Sequence, residues 1–247
     1  MGPTGHEQLF IAMDATYLKI FAAIAPAIIL TFIIIRKDKQ NPEPIGWILA
    51  AVGLGILVVP AVLLLGYLGL PIIPEDTYIG AFLSSFITAA IPEEGLKFVA
   101  LFLLVKWCKH FDEMFDGIVY AVCIGMGFAG LENIIYLFGA EDEWISVSVS
   151  RALLSVPMHY FFAVIMGAFF SLGWFDKKKR KFYLTAALIL PIIAHGLYDT
   201  LCFSIDIDEE LSGYILLIFI VGFGFIRRYV KSLTASMLKL DGYEPIK

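Results

Sequence analysis

Apolar runs of roughly 20 residues recur along this 247-residue chain, and that recurrence constrains the fold more than any other feature. A hydrocarbon layer about 30 Å thick asks a helix for that length, since each residue rises about 1.5 Å and every backbone polar group must find its partner inside the span. Apolar residues make up 60% of the sequence and charged residues 17%, against about 25% in an ordinary soluble domain. Water cannot wrap a core of that extent. The sequence therefore reads as all-α, a polytopic transmembrane helical bundle forming a single integral membrane domain over residues 1–247 of a bacterial-type inner membrane protein.

Seven spans are predicted, at about 15–35, 45–69, 79–105, 116–138, 148–174, 183–203 and 211–228. Asn41-Pro42-Glu43-Pro44 separates the first two, and Pro71 with Pro74 the next two. Glu141-Asp142-Glu143 follows the fourth span and Asp206-Ile207-Asp208-Glu209-Glu210 the sixth. The charges alternate by loop. Arg36, Lys37 and Lys39 follow span one, Lys106 and Lys109 span three, Lys177 to Lys181 span five, and Arg227, Arg228 and Lys231 span seven. The loops 70–78, 139–147 and 204–210 hold no Lys or Arg. The positive-inside rule then puts the N-terminus outside and the C-terminus in the cytoplasm. The basic run Lys177–Lys181 reads as an orientation determinant, with no nucleic acid expected. Met1 to Phe10 has no positive n-region, so the first apolar run is expected to stay in the mature protein. His6 stands where N-myristoylation asks for Ser or Thr after Met1-Gly2. Cys108, Cys123 and Cys202 share no metal or redox spacing and read as small apolar packers.

Against this background, ionisable residues inside the spans stand out, because each costs about 2.5 kcal/mol or more to insert. Span three carries Pro92-Glu93-Glu94-Gly95-Leu96-Lys97, and span four Phe128-Ala129-Gly130-Leu131-Glu132-Asn133. Span five carries Pro157-Met158-His159-Tyr160, and span six His195-Gly196-Leu197-Tyr198-Asp199. Counted along helices of alternating direction, these groups fall in one layer between the midplane and the outer leaflet. Four helices thus deliver Glu93, Glu94, Glu132, His159, His195 and Asp199 to one depth, as a single site requires.

Spacing refines the picture. Lys97 lies one turn from Glu93 and Glu94 and can neutralise either. Asp199 lies one turn from His195 and can orient its imidazole. Pro92 removes a backbone hydrogen bond beside the Glu pair, and Gly125, Gly127, Gly130 and Gly196 allow close helix approach. Arg151 and Lys19, near span ends, read as snorkelling residues without a chemical role.

Such a cluster suits peptide-bond hydrolysis, which needs an activated water, a proton donor for the leaving amine and stabilisation of an oxyanion. A Glu can serve as base. His159, His195 and Glu132 can hold a metal such as Zn2+ with a position open, or the same groups can act without metal. No His-Glu-x-x-His helix is present.

Glu93-Glu94-Gly95-Leu96-Lys97 is similar to an E-E-x-x-K motif, Phe128 to Asn133 to F-x-x-x-E-N, and His195 to Asp199 to H-x-x-x-D. With His159 and the following Met166-Gly167, this order on successive helices resembles the PrsW family of intramembrane proteases, distant relatives of the CAAX prenyl proteases and bacteriocin-processing membrane proteases. The resemblance covers spans three to six, a catalytic core of about 79–203. It implies a membrane peptidase, often classed as a metalloprotease, acting on a membrane-protein or peptide substrate such as an anti-sigma factor on the extracytoplasmic side of the bilayer. By motif, Glu93 and Glu94 would activate water, His159 and His195 would be catalytic or ligand groups, and Lys97, Glu132, Asn133 and Asp199 would support them. Lys97 comes one residue earlier than the Arg of the CAAX proteases, and Glu132-Asn133 stands where they place a His, so prenylated substrates are not implied. Two other classes compete: a proton- or cation-coupled transporter, against which the absence of an internal repeat counts, and a non-catalytic membrane chaperone or immunity-type protein.

Overall fold

The computed structural model describes residues 5–243, with side chains from Thr16 onward apart from a few between Asp206 and Phe223. The regular structure of these residues is helical throughout: α1 Gly5–Lys37, α2 Ile45–Tyr67, α3 Tyr78–Ser84, α4 Ile91–Trp107, α5 Asp116–Gly139, α6 Trp144–Ser150, α7 Val156–Phe175, α8 Arg180–Ile207 and α9 Ser212–Leu240. The expectations resting on Met1 and Gly2 lie outside the described residues.

Six helical stretches are long and apolar enough to cross a membrane: Thr16–Lys37, Ile45–Tyr67, Asp116–Gly139, Glu141–Phe175, Arg180–Ile205 and Gly213–Leu240. The one expected span outside these six, span three, holds Glu93, Glu94 and Lys97, and these charges lower its hydropathy. It is nonetheless helical without interruption from Tyr78 to Trp107, roughly 40 Å and long enough to cross. Two ends differ from expectation. α1 begins at Gly5, well ahead of residue 15. α9 runs on to Leu240 rather than stopping near 228, because Val230, Thr234, Met237 and Leu238 make a buried stripe at helical spacing beyond the basic residues. Gly222 and Gly224 do not break it.

Helix α5 is the axis of the bundle. It is apolar nearly all round and buried over most of its length, so it sits in the middle. α1, α2 and α7 pack on it, and α8 packs on α7. Peripheral helices leave apolar side chains such as Phe21, Ile28, Leu57 and Leu63 exposed, the surface a hydrocarbon solvent covers. Two contacts are close because glycine lets backbone meet backbone. A Cβ on Gly127 of α5 would stand 2.2 Å from the Val52 carbonyl oxygen of α2, and one on Gly167 of α7 would stand 2.2 Å from the Gly117 carbonyl oxygen of α5. Gly130, predicted for the same role, has ordinary room, with Ala27 Cβ at 3.8 Å.

Two π-helical turns interrupt the charged spans. Ser85–Ala90 joins α3 to α4, and Arg151–Ser155 joins α6 to α7. Each is followed at the second α-helical position by a proline, Pro92 or Pro157. Proline has no N–H to donate and its ring crowds the preceding turn; a widened turn relieves both problems. The sequence places an opened helix at Pro92; the structure shows a π turn there, and a second one before His159.

Candidate active site

The two widened turns lead into the first residues of α4 and α7, which carry the candidate site residues of those helices. Glu93 and Glu94 stand just after Pro92, and His159 just after Pro157. All three are buried, as are Lys97, Asn133 and His195. Glu93, Glu94, His159 and His195 each offer one ligand atom, and these four atoms lie within 4.8 Å of one another. The convergence expected from helix depth is therefore present, although 102 residues separate Glu93 from His195 (195 less 93).

The carboxylate pair is held from below by one ammonium. Lys97 Nζ donates to Glu94 Oε1 at 2.8 Å and to Glu93 Oε2 at 3.2 Å. The same ammonium sits 3.7 Å from the centre of the Phe128 ring, so the F-x-x-x-E-N phenylalanine adds a cation–π contact. The two glutamates differ in commitment. Glu94 is also 3.0 Å from His195 Nδ1, whereas Glu93 approaches His195 only at 3.9 Å, from Nε2.

Each histidine has a carboxylate on Nε2. His195 Nε2 lies 3.1 Å from Asp199 Oδ2, one turn along α8, and His159 Nε2 lies 3.1 Å from Glu132 Oε2 of α5. On His159 a carboxylate there sets the proton on Nε2 and leaves a lone pair on Nδ1; on His195 both ring nitrogens meet a carboxylate, so without a metal each of the two hydrogen bonds needs its own proton. On His195 Nδ1 faces Glu94. On His159 it is buried and has no hydrogen-bond partner among the described residues. The rings are 5.3 Å apart and nearly perpendicular, with Phe162 stacked on His195 at 5.0 Å.

Arg151 is the residue the sequence reading missed. Expected to snorkel, it instead turns inward from the second π turn, donates from Nε to Asn133 Oδ1 at 2.6 Å and pairs through Nη2 with Glu132 Oε2. Its guanidinium lies 3.8 Å from the centre of the Tyr136 ring. Asn133 in turn donates to the Ala23 carbonyl of α1 at 3.1 Å. The available signal was depth: Arg151 lies about two turns before His159, in the layer that holds Glu132. Lys19 matches its expected role, reaching the Glu141 carbonyl at 3.1 Å and lying over Phe138 and Trp144 at a helix end. Glu132, placed among the metal ligands by sequence, has its Oε2 engaged by Arg151 and His159 and stands outside the close quartet. Cys108 and Cys123 are buried among the core side chains.

Two imidazoles and two carboxylates are a donor set that suits a borderline divalent ion such as Zn2+. Charge supports the fit. Glu93, Glu94, Glu132 and Asp199 face two fixed cations, Lys97 and Arg151, so carboxylates outnumber fixed cations by two within the cluster. The orphaned Nδ1 of His159 points to the same conclusion, since a buried nitrogen lone pair without a partner is costly.

A polytopic helical membrane protein that buries a glutamate pair against two carboxylate-oriented histidines is, as a class, an intramembrane hydrolase. Comparison with known proteins agrees and narrows it. Residues 43–226 match the PrsW family of intramembrane metalloproteases. The chain is 34% identical to Protease PrsW of Geobacillus kaustophilus over 202 residues, 82% of this chain and 85% of that one. It is 34% identical to Protease PrsW of Bacillus subtilis over 224 residues, 90% of this chain and 98% of that one. With Protease PrsW of Clostridioides difficile it shares 32% identity over 202 residues, 81% and 84% of the two chains. No solved structure matches. The chain belongs to the PrsW family of intramembrane metalloproteases.

Proposed function

We propose that the chain cuts a peptide bond of a membrane-protein substrate near the outer leaflet, with Glu94, His159 and His195 holding a Zn2+ ion and Glu93 acting as the base. The observation that carries this reading is the shared arrangement of the two histidines, each with a carboxylate 3.1 Å from Nε2. Two histidines and one carboxylate with a position open is the ligand set of many catalytic zinc sites. Glu94 is favoured over Glu132 as the carboxylate ligand because it already lies 3.0 Å from His195 Nδ1, while Glu132 is engaged by Arg151. When bound, such an ion supplies Lewis-acid polarisation of the scissile carbonyl and of water.

The chain's own groups do the rest. Glu93 is less tightly held than Glu94, 3.2 Å from Lys97 against 2.8 Å, and keeps the freedom a base needs. It takes a proton from the attacking water as the oxygen bonds to the carbonyl carbon, and returns it to the leaving nitrogen as the C–N bond breaks. Lys97 stays charged and keeps the two carboxylates from repelling each other. Asp199 and Glu132 hold the imidazoles in place. Both are somewhat more exposed than the groups they support, with side chains 17% and 16% accessible, and they mark the side from which water and substrate approach. The core that carries this work is the segment 79–203. The alternation of basic and Lys/Arg-free loops supports an outside N-terminus, a cytoplasmic C-terminus and a site nearer the outer leaflet.

The test is cleavage in proteoliposomes of a tagged single-pass membrane protein with an extracytoplasmic segment, comparing wild type with Glu93→Gln and Glu94→Gln. A product formed by wild type and by neither folded variant is expected. Undiminished cleavage by both variants would overturn the assignment, and substrate-dependent proton flux without cleavage would favour transport instead.

A further inference from the structure

At the other end of α5, a second group of carboxylates is arranged as a cation site that the protease chemistry does not use. We infer that Asp38, Glu113 and Asp116 bind a hard divalent cation, Mg2+ or Ca2+, that clamps the ends of α1, α5 and α9 together. Asp116 and Glu132 are separated by about 24 Å of helix, so the two sites lie towards opposite faces of the membrane.

The three carboxylates come from different places: Asp38 just after α1, Glu113 from the α4–α5 connection and Asp116 at the start of α5. One oxygen from each lies within 4.8 Å of the others. Asp38 is only 3% exposed and Asp116 is fully buried. Their hydrogen bonding is divided in a telling way. Asp116 Oδ2 accepts the backbone N–H groups of Asp112 at 3.0 Å and Glu113 at 2.7 Å, while its Oδ1 meets no N–H donor among the described residues and the Glu43 carboxyl lies within hydrogen-bonding reach of the side chain. Glu113 Oε1 accepts the Tyr243 hydroxyl at 2.5 Å, while its Oε2 has no partner among the described residues. Asp38 Oδ2 likewise has none. Among the described residues each side chain thus keeps one buried oxygen that no N–H group satisfies, which a native structure rarely tolerates without a ligand.

No Lys, Arg or His nitrogen among the described residues stands within 4 Å of any of the three. Like charges lie nearby instead: burial and the neighbouring Glu43 hold the Asp38 carboxyl up to about 7. Glu43 itself receives the Tyr120 hydroxyl. The donors are all carboxylate oxygens, without imidazole or thiolate in the group, which selects Mg2+ or Ca2+ over Zn2+, with water completing the shell. Asp241, at the end of α9, accepts the N–H groups of Met114 at 2.6 Å and Phe115 at 2.9 Å, so α9 already meets the same corner.

The experiment uses full-length protein purified in detergent, stripped with chelator and unfolded thermally against MgCl2, CaCl2 and MnCl2. Wild type should rise in midpoint with Mg2+ or Ca2+, and the concentration needed should increase at least about tenfold in Asp38→Asn and in Glu113→Gln, since affinity follows ligand charge. Asp38→Asn relieves repulsion and should fold without added cation, which keeps the comparison sound if one variant is lost. Glu94→Gln should respond like wild type, separating this site from the Glu/His cluster. No response of wild type up to about 10 mM of any of the three ions would overturn the proposal. So would unchanged responses in both acid-site variants, or stabilisation by mild acid alone with no added effect of cation.

Discussion

Asp199 Oδ2 lies 3.1 Å from His195 Nε2, one turn further along α8, and leaves Nδ1 of the same ring facing Glu94. With a metal ion on Nδ1, the spacing His195-x-x-x-Asp199 would hold the ring in the tautomer that carries its proton on Nε2. An amide at 199 would present either an oxygen or an NH2 group and would no longer fix the proton on Nε2. Asp199→Asn should lower cleavage about 10- to 100-fold and weaken metal retention by a similar factor, as other outer carboxylates do. Asp199→Glu should recover part of both, and titration of Zn2+ into stripped protein would show whether the two losses travel together.

Lys97 answers two buried carboxylates at once, at 2.8 and 3.2 Å. Lys97→Met leaves Glu93 and Glu94 facing each other without it and should cost about 3–5 kcal/mol of stability, read from denaturant unfolding in detergent. Lys97→Arg should not restore wild-type cleavage, because a planar guanidinium cannot take the place of an ammonium seated over Phe128 and between two carboxylates.

The inward turn of Arg151 separates it from Lys19, which shares its place near a span end. Arg151→Gln removes the partner of buried Glu132 and releases Asn133, so cleavage should fall about 10- to 100-fold. Lys19→Gln should stay within about twofold of wild type. Equal effects of the two substitutions would contradict an inward role for Arg151.

Close packing of α2 on α5 gives a stability test away from the chemistry. Gly127→Ala sets a Cβ 2.2 Å from the Val52 carbonyl oxygen, where backbone must move, and should cost about 1–3 kcal/mol or more. Gly53→Ala, on the same partner helix with nothing within 4 Å of the new carbon, should be neutral or stabilising by up to about 1 kcal/mol. Thermal midpoints of the two variants measure the difference.

Much of this protein is written in its sequence because a bilayer permits so few structures. Apolar run length marks the spans, and misplaced charge marks the site; Glu93, Glu94, His159, His195, Glu132 and Asp199 needed only helix depth to be grouped. Arg151 was hidden because snorkelling and pairing inward start from the same sequence position and differ only in the direction of the side chain. Glu132 reads as a metal ligand in the sequence because it sits at the right depth, and only the structure shows its Oε2 engaged by Arg151 and His159. The extension of α9 was obscured by Arg227, Arg228 and Lys231, which end an apolar run without ending a helix. The Asp38–Glu113–Asp116 group gave no signal, since acidic residues in loops are ordinary until their oxygens are found buried and unpaired.

The metal content of purified full-length protein, read together with its cleavage activity, bears most directly on the Glu93–Glu94–His159–His195 centre. Wild type should retain about one Zn2+ per chain, lost at least about tenfold more readily from His159→Ala and His195→Ala, with cleavage abolished by chelation and restored by adding the ion back. Full cleavage by chelator-stripped, metal-free protein would contradict it.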